Sequence, residues 1–296
     1  MTQTYEKIGF VGLGLMGHGM AKNIVEKAYP LTVVAHRERT AIDDLVARGA
    51  VEAGSLEDLA RRCDVIFLCL TGSPEVAAAV TALKPGLAKG AVVVDCSTSD
   101  PTVSLRLAAE LAEIGVAFVD APLSRTPKEA WAGTLDCMVG ADDASFARVQ
   151  PIIATWAAKI VHIGGVGDGH KMKLLNNFLS LGYAALYSEA LALSRKVGIP
   201  VGEFDKVIRG GRMDCGFYQT FMGYALDGNR EAHKFTLANA YKDMRYVESM
   251  ANAATVATPM ASTVKNSFAL AMATGGDGAE DYVPHLSDFI AKANGL

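Results

Sequence analysis

Lys173, Asn176, Asn177 and Ser180 are the residues whose types and spacing first suggest chemistry. They lie in KMKLLNNFLSLGYAALYSEALALSRK, a run of helical periodicity. Separations of three, four and seven put Lys173, one of the two asparagines and Ser180 on a single face. Met172, Leu174, Leu175, Phe178, Leu179 and Leu181 surround them. A lysine among such neighbours is costly to bury without a partner or a task. Desolvation would lower its pKa and prepare it to pass a proton to or from an alcohol or carbonyl oxygen. The plainer alternative is a solvated polar stripe. The glycine-rich lead-in GGVGDGH and the apolar surroundings favour a helix set against a cleft, with Lys173 as the candidate for proton transfer.

A second constellation opens the chain. KIGFV is followed by GLGLMG, so Gly12, Gly14 and Gly17 have GxGxxG spacing between a strand and a helix. The first glycine permits the tight turn, the second lets backbone approach a pyrophosphate, and the third allows close helix–strand packing. Leu13, Leu15 and Met16 complete the loop, and Leu70 and Thr71, at the exit of a later apolar run, are further candidates for cofactor contact. An NAD site of this kind expects an acid at the end of the second strand. LTVVAHRERT offers Ala35 there, then His36, Arg37 and Arg39. Without a carboxylate to repel it, a 2′-phosphate can be held by a guanidinium. NADP is therefore the expected cofactor, NAD the alternative, and a solvated basic turn the plain reading.

A third stretch, DAPLSRTPKEAWAGTL, leaves an apolar run at Asp120 and puts Arg125 between Ser124 and Thr126. The structural alternative for that arginine is a bridge to Glu129 or Asp120. A solvent-exposed pair of that sort contributes little to stability, which makes it a weak reason for an arginine in a turn.

The elements that must position these residues follow from the apolar pattern. KIGFVG, LTVVA, DVIFLCL, AVVVD and VAFVD alternate with helical segments, and LDCMVG and KIVHIG extend the series. Continuous apolar strands alternating with helices predict a parallel sheet covered on both faces. After Gly164 the character changes: a long helix of roughly 35–40 Å leads into segments that all read as helical. The expected fold is α/β, with an N-terminal Rossmann-type, doubly wound, mainly parallel sheet over 1–164. An all-helical C-terminal domain over 165–296 follows, joined to it by the long interdomain helix.

The chain has 296 residues, a fifth of them charged, with a formal net charge of -4. This balance argues against nucleic-acid and anionic-membrane partners. Five scattered cysteines without a CxxC pair predict a reduced, cytoplasmic protein and no metal site.

Four ordered motifs, GLGLMGHGMAKNI, DCSTSDP, DAPLS...AGTL and KLLNN, resemble those of the β-hydroxyacid dehydrogenase family across essentially the whole chain. The resemblance implies hydride exchange between a nicotinamide cofactor and a small hydroxy acid or semialdehyde, with Lys173 as acid/base and Asn176 and Asn177 placing substrate and lysine. It also implies that Ser97 and Thr98 approach the nicotinamide, that Lys242 of the Lys242–Asp243 pair lies near substrate or cofactor, and that the chain forms a homodimer or homotetramer through its helical domain. Most members carry Ser-Gly-Gly where this chain has Ser124-Arg125-Thr126. The Arg-Thr loop is similar to that of the sulfolactaldehyde reductase branch, in which the arginine meets an anionic substrate group with an asparagine and a serine, here Asn176 and Ser180. Two departures count against that branch: it has glycine at the position of Ser124, and its NAD-using members carry the acid that Ala35 replaces. Ser124, Arg125, Thr126, Asn176, Ser180 and Lys242 are thus the expected substrate residues. Imine reductases share the architecture but generally lack a lysine at this helix position. A non-catalytic dinucleotide-sensing protein is the rival from another class.

Overall fold

A computed structural model describes residues 6–35, 39–274 and 276–296. Six strands form the main parallel part of a nine-stranded sheet among the described residues: β1 (Ile8–Val11), β2 (Leu31–Val34), β3 (Val51–Ala53), β4 (Val65–Leu68), β5 (Val92–Asp95) and β6 (Ala117–Asp120). Their order is β3-β2-β1-β4-β5-β6, every neighbour parallel. That order reverses between β1 and β4, and in such sheets the ligand crevice opens outside the carboxyl ends of the strands at the reversal.

Alternation along each strand decides which core a side chain enters. Ile8, Phe10, Val65 and Phe67 enter one core, shared with α1 (Gly17–Glu26) and α2 (Thr40–Ala47). Val11, Ile66, Leu68 and Val93 enter the other, beneath α3 (Leu56–Arg62), α4 (Ser73–Leu83) and α5 (Pro101–Ala112). With both faces covered, the strands read as unbroken apolar runs.

The sheet continues through β7 (Leu123–Ser124), β8 (Leu135–Gly140) and β9 (Ala157–Gly164), with α6 (Pro127–Ala132) and α7 (Asp143–Ile153) between them. Strand β8 runs antiparallel to β6 and β7, and β9 parallel to β8. β3 and β7, of three and two residues, are too short for a periodic signal and were not visible in the sequence.

The chain divides into two compact units between Lys173 and Leu174. The break falls inside α8 (Asp168–Lys196), a 29-residue helix whose first turns belong with the sheet. The second unit contains α9 (Val201–Ile208), α10 (Gly216–Asp227), α11 (Leu237–Ala253), α12 (Pro259–Ala273) and α13 (Leu286–Ala293). Leu181, Tyr218, Phe221, Met244 and Phe268 are central to its own core. Among the described residues no helix is long and apolar enough to cross a membrane.

Candidate active site

The glycine loop forms a cradle at the carboxyl end of β1. Gly12 has φ 93°, and a Cβ there would lie 2.2 Å from the Cys69 carbonyl oxygen. A Cβ on Gly17 would fall 1.9 Å from the Gly12 carbonyl, so α1 starts hard against the turn. At Gly14, by contrast, a Cβ would meet nothing within 4 Å. Backbone there is open to an incoming group, and Met16, the N-cap of α1, supplies no side-chain bond to the first-turn amides. Leu13 packs on the core and Leu15 is largely exposed at the rim. An uncapped helix start behind an open glycine fits the pyrophosphate of a dinucleotide.

The neighbouring strand exits are tied together at Ser97. Its hydroxyl accepts the Leu70 N–H at 2.9 Å, and its own N–H donates to Asp95 Oδ1 at 2.8 Å. Thr71 is exposed and Thr98 half-buried beside them. At the end of β2, half-buried Ala35 occupies the position where an NAD site has an acid, while His36 and Arg37 lie outside the described residues. Arg39 is engaged elsewhere: its guanidinium bonds Glu52 at 3.1 and 2.9 Å and pairs with Asp43.

Arg125 follows β7 with φ 90°, in the left-handed region that favours glycine. Its Nε lies 3.0 Å from Asp136 Oδ2 on β8, a pair that leaves the arginine side chain about half exposed at 48 %. This corrects the partner expected from sequence, Glu129 or Asp120. Glu129 instead closes a capping box with Thr126 at the start of α6. Asp120 instead accepts the N–H groups of Gly167 at 2.6 Å and His170 at 2.7 Å. The other oxygen of Asp136, Oδ1, is buried without a hydrogen-bond partner.

Asp120 and Asp95 are register partners at the ends of β6 and β5, and both are fully buried. Asp120 receives the start of α8, where an anion is favoured by free amides and the helix dipole. Burial pushes its carboxyl above the usual range, while His170 and the two amides pull against that rise. The GGVGDG lead-in has a steric cause here: a Cβ on Gly169 would lie 2.6 Å from the Met138 carbonyl and 2.8 Å from Asp120. Lys173, half-buried, follows one turn along α8.

In the helical unit, Asn177 is buried and donates from Nδ2 to Asp243 Oδ2 at 2.7 Å. The Lys242 ammonium lies 3.2 Å from Asp243 Oδ1. Asp243, itself fully buried, thus joins two expected site residues. Asn176 is exposed, and the Ser180 hydroxyl donates to the Asn177 carbonyl at 3.3 Å. Sequence reasoning missed His170 and Asp136. The sole available signal for His170 was a histidine inside the glycine-rich lead-in, and Asp136 carried none.

A doubly wound sheet with an open glycine loop at a helix start, followed by a helical unit, is the architecture of a dinucleotide-binding protein. Residues 7–164 match the family described as the NAD binding domain of 6-phosphogluconate dehydrogenase. Residues 167–285 match that described as the NAD-binding domain of NADP-dependent 3-hydroxyisobutyrate dehydrogenase. The NAD-dependent L-serine dehydrogenase of Pseudomonas aeruginosa is 31% identical over 91% of this chain and 93% of its own length. The 3-sulfolactaldehyde reductase of Escherichia coli is 28% identical over 93% of both chains. Among solved structures, 3-hydroxyisobutyrate dehydrogenase of Mycobacterium tuberculosis with L-serine superposes with a TM-score of 0.86 at 24% identity, covering 96% of this chain and 99% of the other. The chain belongs to the β-hydroxyacid dehydrogenase family and is an NAD(P)-dependent dehydrogenase.

Proposed function

We propose that the enzyme interconverts a small hydroxy acid and its aldehyde, with NADP preferred, and that the substrate carries an anionic tail held by Arg125. The nicotinamide, when bound, supplies or takes the hydride. Lys173 gives a proton to the substrate oxygen in reduction and takes it back in oxidation. Asn177, fixed by Asp243, orients the lysine's helix. Ser124 and Arg125 bind the tail, Thr126 shapes their loop through its capping box, and Asn176 and Ser180, on the lysine's own helix, are further substrate ligands. The dinucleotide is held by the loop Gly12–Gly17, by Leu70, Thr71, Ser97 and Thr98, and by Lys242 from the helical unit. We take the division at Gly164 to give a dinucleotide-binding first domain, which also carries Ser124, Arg125 and Thr126, and a helical substrate and assembly domain after it. Preference for NADP rests on Ala35 in place of an acid, together with His36 and Arg37.

The observation that carries the anionic tail is a half-exposed guanidinium on a backbone suited to glycine. The 3-sulfolactaldehyde reductase similarity makes a sulfonate one form of that tail. A second reading, favoured by the 3.0 Å pair with Asp136, leaves Arg125 structural and the substrate a 3-hydroxyisobutyrate-, tartronate- or succinic-semialdehyde-type acid. A steady-state screen of small aldehyde acids, sulfolactaldehyde and succinic semialdehyde included, against NADH and NADPH tests both. Higher kcat/KM for a tail of sulfonate or phosphate with NADPH is the expected result. Turnover confined to plain carboxylates selects the second reading.

Assembly as a homodimer or homotetramer is proposed through α8, where Leu179, Leu186, Leu193 and Val197 are each more than half exposed at heptad-like spacing. Leu186→Asp is expected to lower the mass measured by light scattering at micromolar protein. A wild-type chain that is already monomeric there would refute the proposal.

A further inference from the structure

His170 is fully buried on the first turn of α8, and the chemistry proposed above does not use it. Its Nε2 lies 3.1 Å from the Ser97 carbonyl oxygen. A carbonyl only accepts, so Nε2 carries a proton and donates it there. Its Nδ1 lies 2.8 Å from the Ser104 hydroxyl on α5, and its backbone N–H donates to Asp120. The ring is flanked by two carboxylates, Asp95 Oδ2 at 3.7 Å and Asp120 Oδ2 at 3.9 Å. Asp95 in turn holds the Ser97 N–H and the Ser99 hydroxyl. Ser97 is therefore gripped from three directions: by Leu70 at its hydroxyl, by Asp95 at its amide and by His170 at its carbonyl.

We propose that His170 is a positioning residue whose Nε2–H ties the Ser97–Thr98 segment to the helix that carries Lys173, fixing the cofactor-contact backbone relative to the proton donor. This rests on the roles proposed above for Ser97, Thr98 and Lys173. A histidine that merely fills space would need no donor aimed at a particular carbonyl. Here the donor meets the peptide that leads directly into Thr98. Its other nitrogen is satisfied by Ser104, so the ring cannot swing away without orphaning two buried polar groups.

Two amide substitutions separate the two nitrogens. His170→Gln sets an amide nitrogen near the place of Nε2, within reach of the Ser97 carbonyl. His170→Asn ends near Nδ1 and reaches only Ser104. His170→Met fills the space with no donor and replaces the Asn variant if that fails to fold. The Gln variant is expected to retain kcat and dinucleotide affinity near wild type. The Asn or Met variant should lose kcat by about 10- to 100-fold, as misplacement of reacting groups does. Backbone amides of residues 97–100 should then exchange hydrogen roughly tenfold faster in the Asn or Met variant only, with dinucleotide affinity, read by fluorescence without turnover, weakened in the same variant. Equal exchange and equal affinity in the Gln and donor-lacking variants would overturn the proposal, as would kcat losses that simply follow thermal stability. Failure of the functional reading would appear separately, as Lys173→Ala retaining turnover, and the exchange and affinity comparison would still decide the role of His170.

Discussion

Lys173→Ala is expected to lower kcat by about 10²- to 10⁴-fold, the range contributed by a positioned general acid or base, while dinucleotide affinity stays close to wild type. The cradle at Gly12–Gly17 is built by the turn between β1 and α1, and Ser97 is held by Leu70, Asp95 and His170. The helix itself is anchored upstream by the Gly167 and His170 amides on Asp120. Alanine is the best helix former, so the backbone of α8 has no reason to move. Lys173→Arg is the sharper comparison. A guanidinium keeps the positive charge but does not give up its proton near neutral pH. If charge alone matters, arginine should restore much of the rate; if proton transfer matters, it should be nearly as slow as alanine. Single-turnover kinetics with a fluorescence titration of NADPH would read both quantities. An alanine variant turning over near the wild-type rate would remove Lys173 from the chemistry.

The parts of the fold that were legible in the sequence are those with redundant signals. Val92, Val93 and Val94 are all buried, so both faces of β5 are apolar up to Asp95 and the run announces itself. β3 and β7 are edge or connector strands whose pairing is decided by neighbours, not by their own few residues. The glycine loop was readable because each glycine answers a different steric demand. The Asp136 partner of Arg125 was not, because it depends on the antiparallel register that sets Ser124 opposite Asp136. That register follows from the turn through α6, whose capping box also withdraws Glu129 from the arginine. His170 was missed for a related reason. Its partners lie 66 and 73 residues away, on α5 and on the segment beyond β5, and only the sheet brings them together.

Arg125→Gly should separate stability from recognition. Residue 125 sits at φ 90°, where an L side chain is disfavoured and glycine is not. Glycine relieves that strain, though it also frees the unfolded chain and removes the pair with Asp136. These opposing changes should leave the thermal midpoint within about 3 °C of wild type. Recognition has no such compensation. A substrate sulfonate or phosphate would lose a charge-assisted hydrogen bond, so its KM should rise by about 10- to 100-fold, with far less change for a plain C3 or C4 hydroxy acid. Asp136 complicates the single variant, because its Oδ1 is already buried without a partner and Oδ2 would lose the guanidinium. Adding Asp136→Asn in the Arg125→Gly background removes that stranded charge, and any stability lost to it should return without recovery of the KM. Asp136→Asn alone releases the guanidinium from its internal carboxylate, and an anionic tail that competes with Asp136 should then bind more tightly. If KM rises equally for tailed and plain substrates in Arg125→Gly, or if the midpoint falls steeply and Asp136→Asn does not restore it, Arg125 serves the loop and not the substrate.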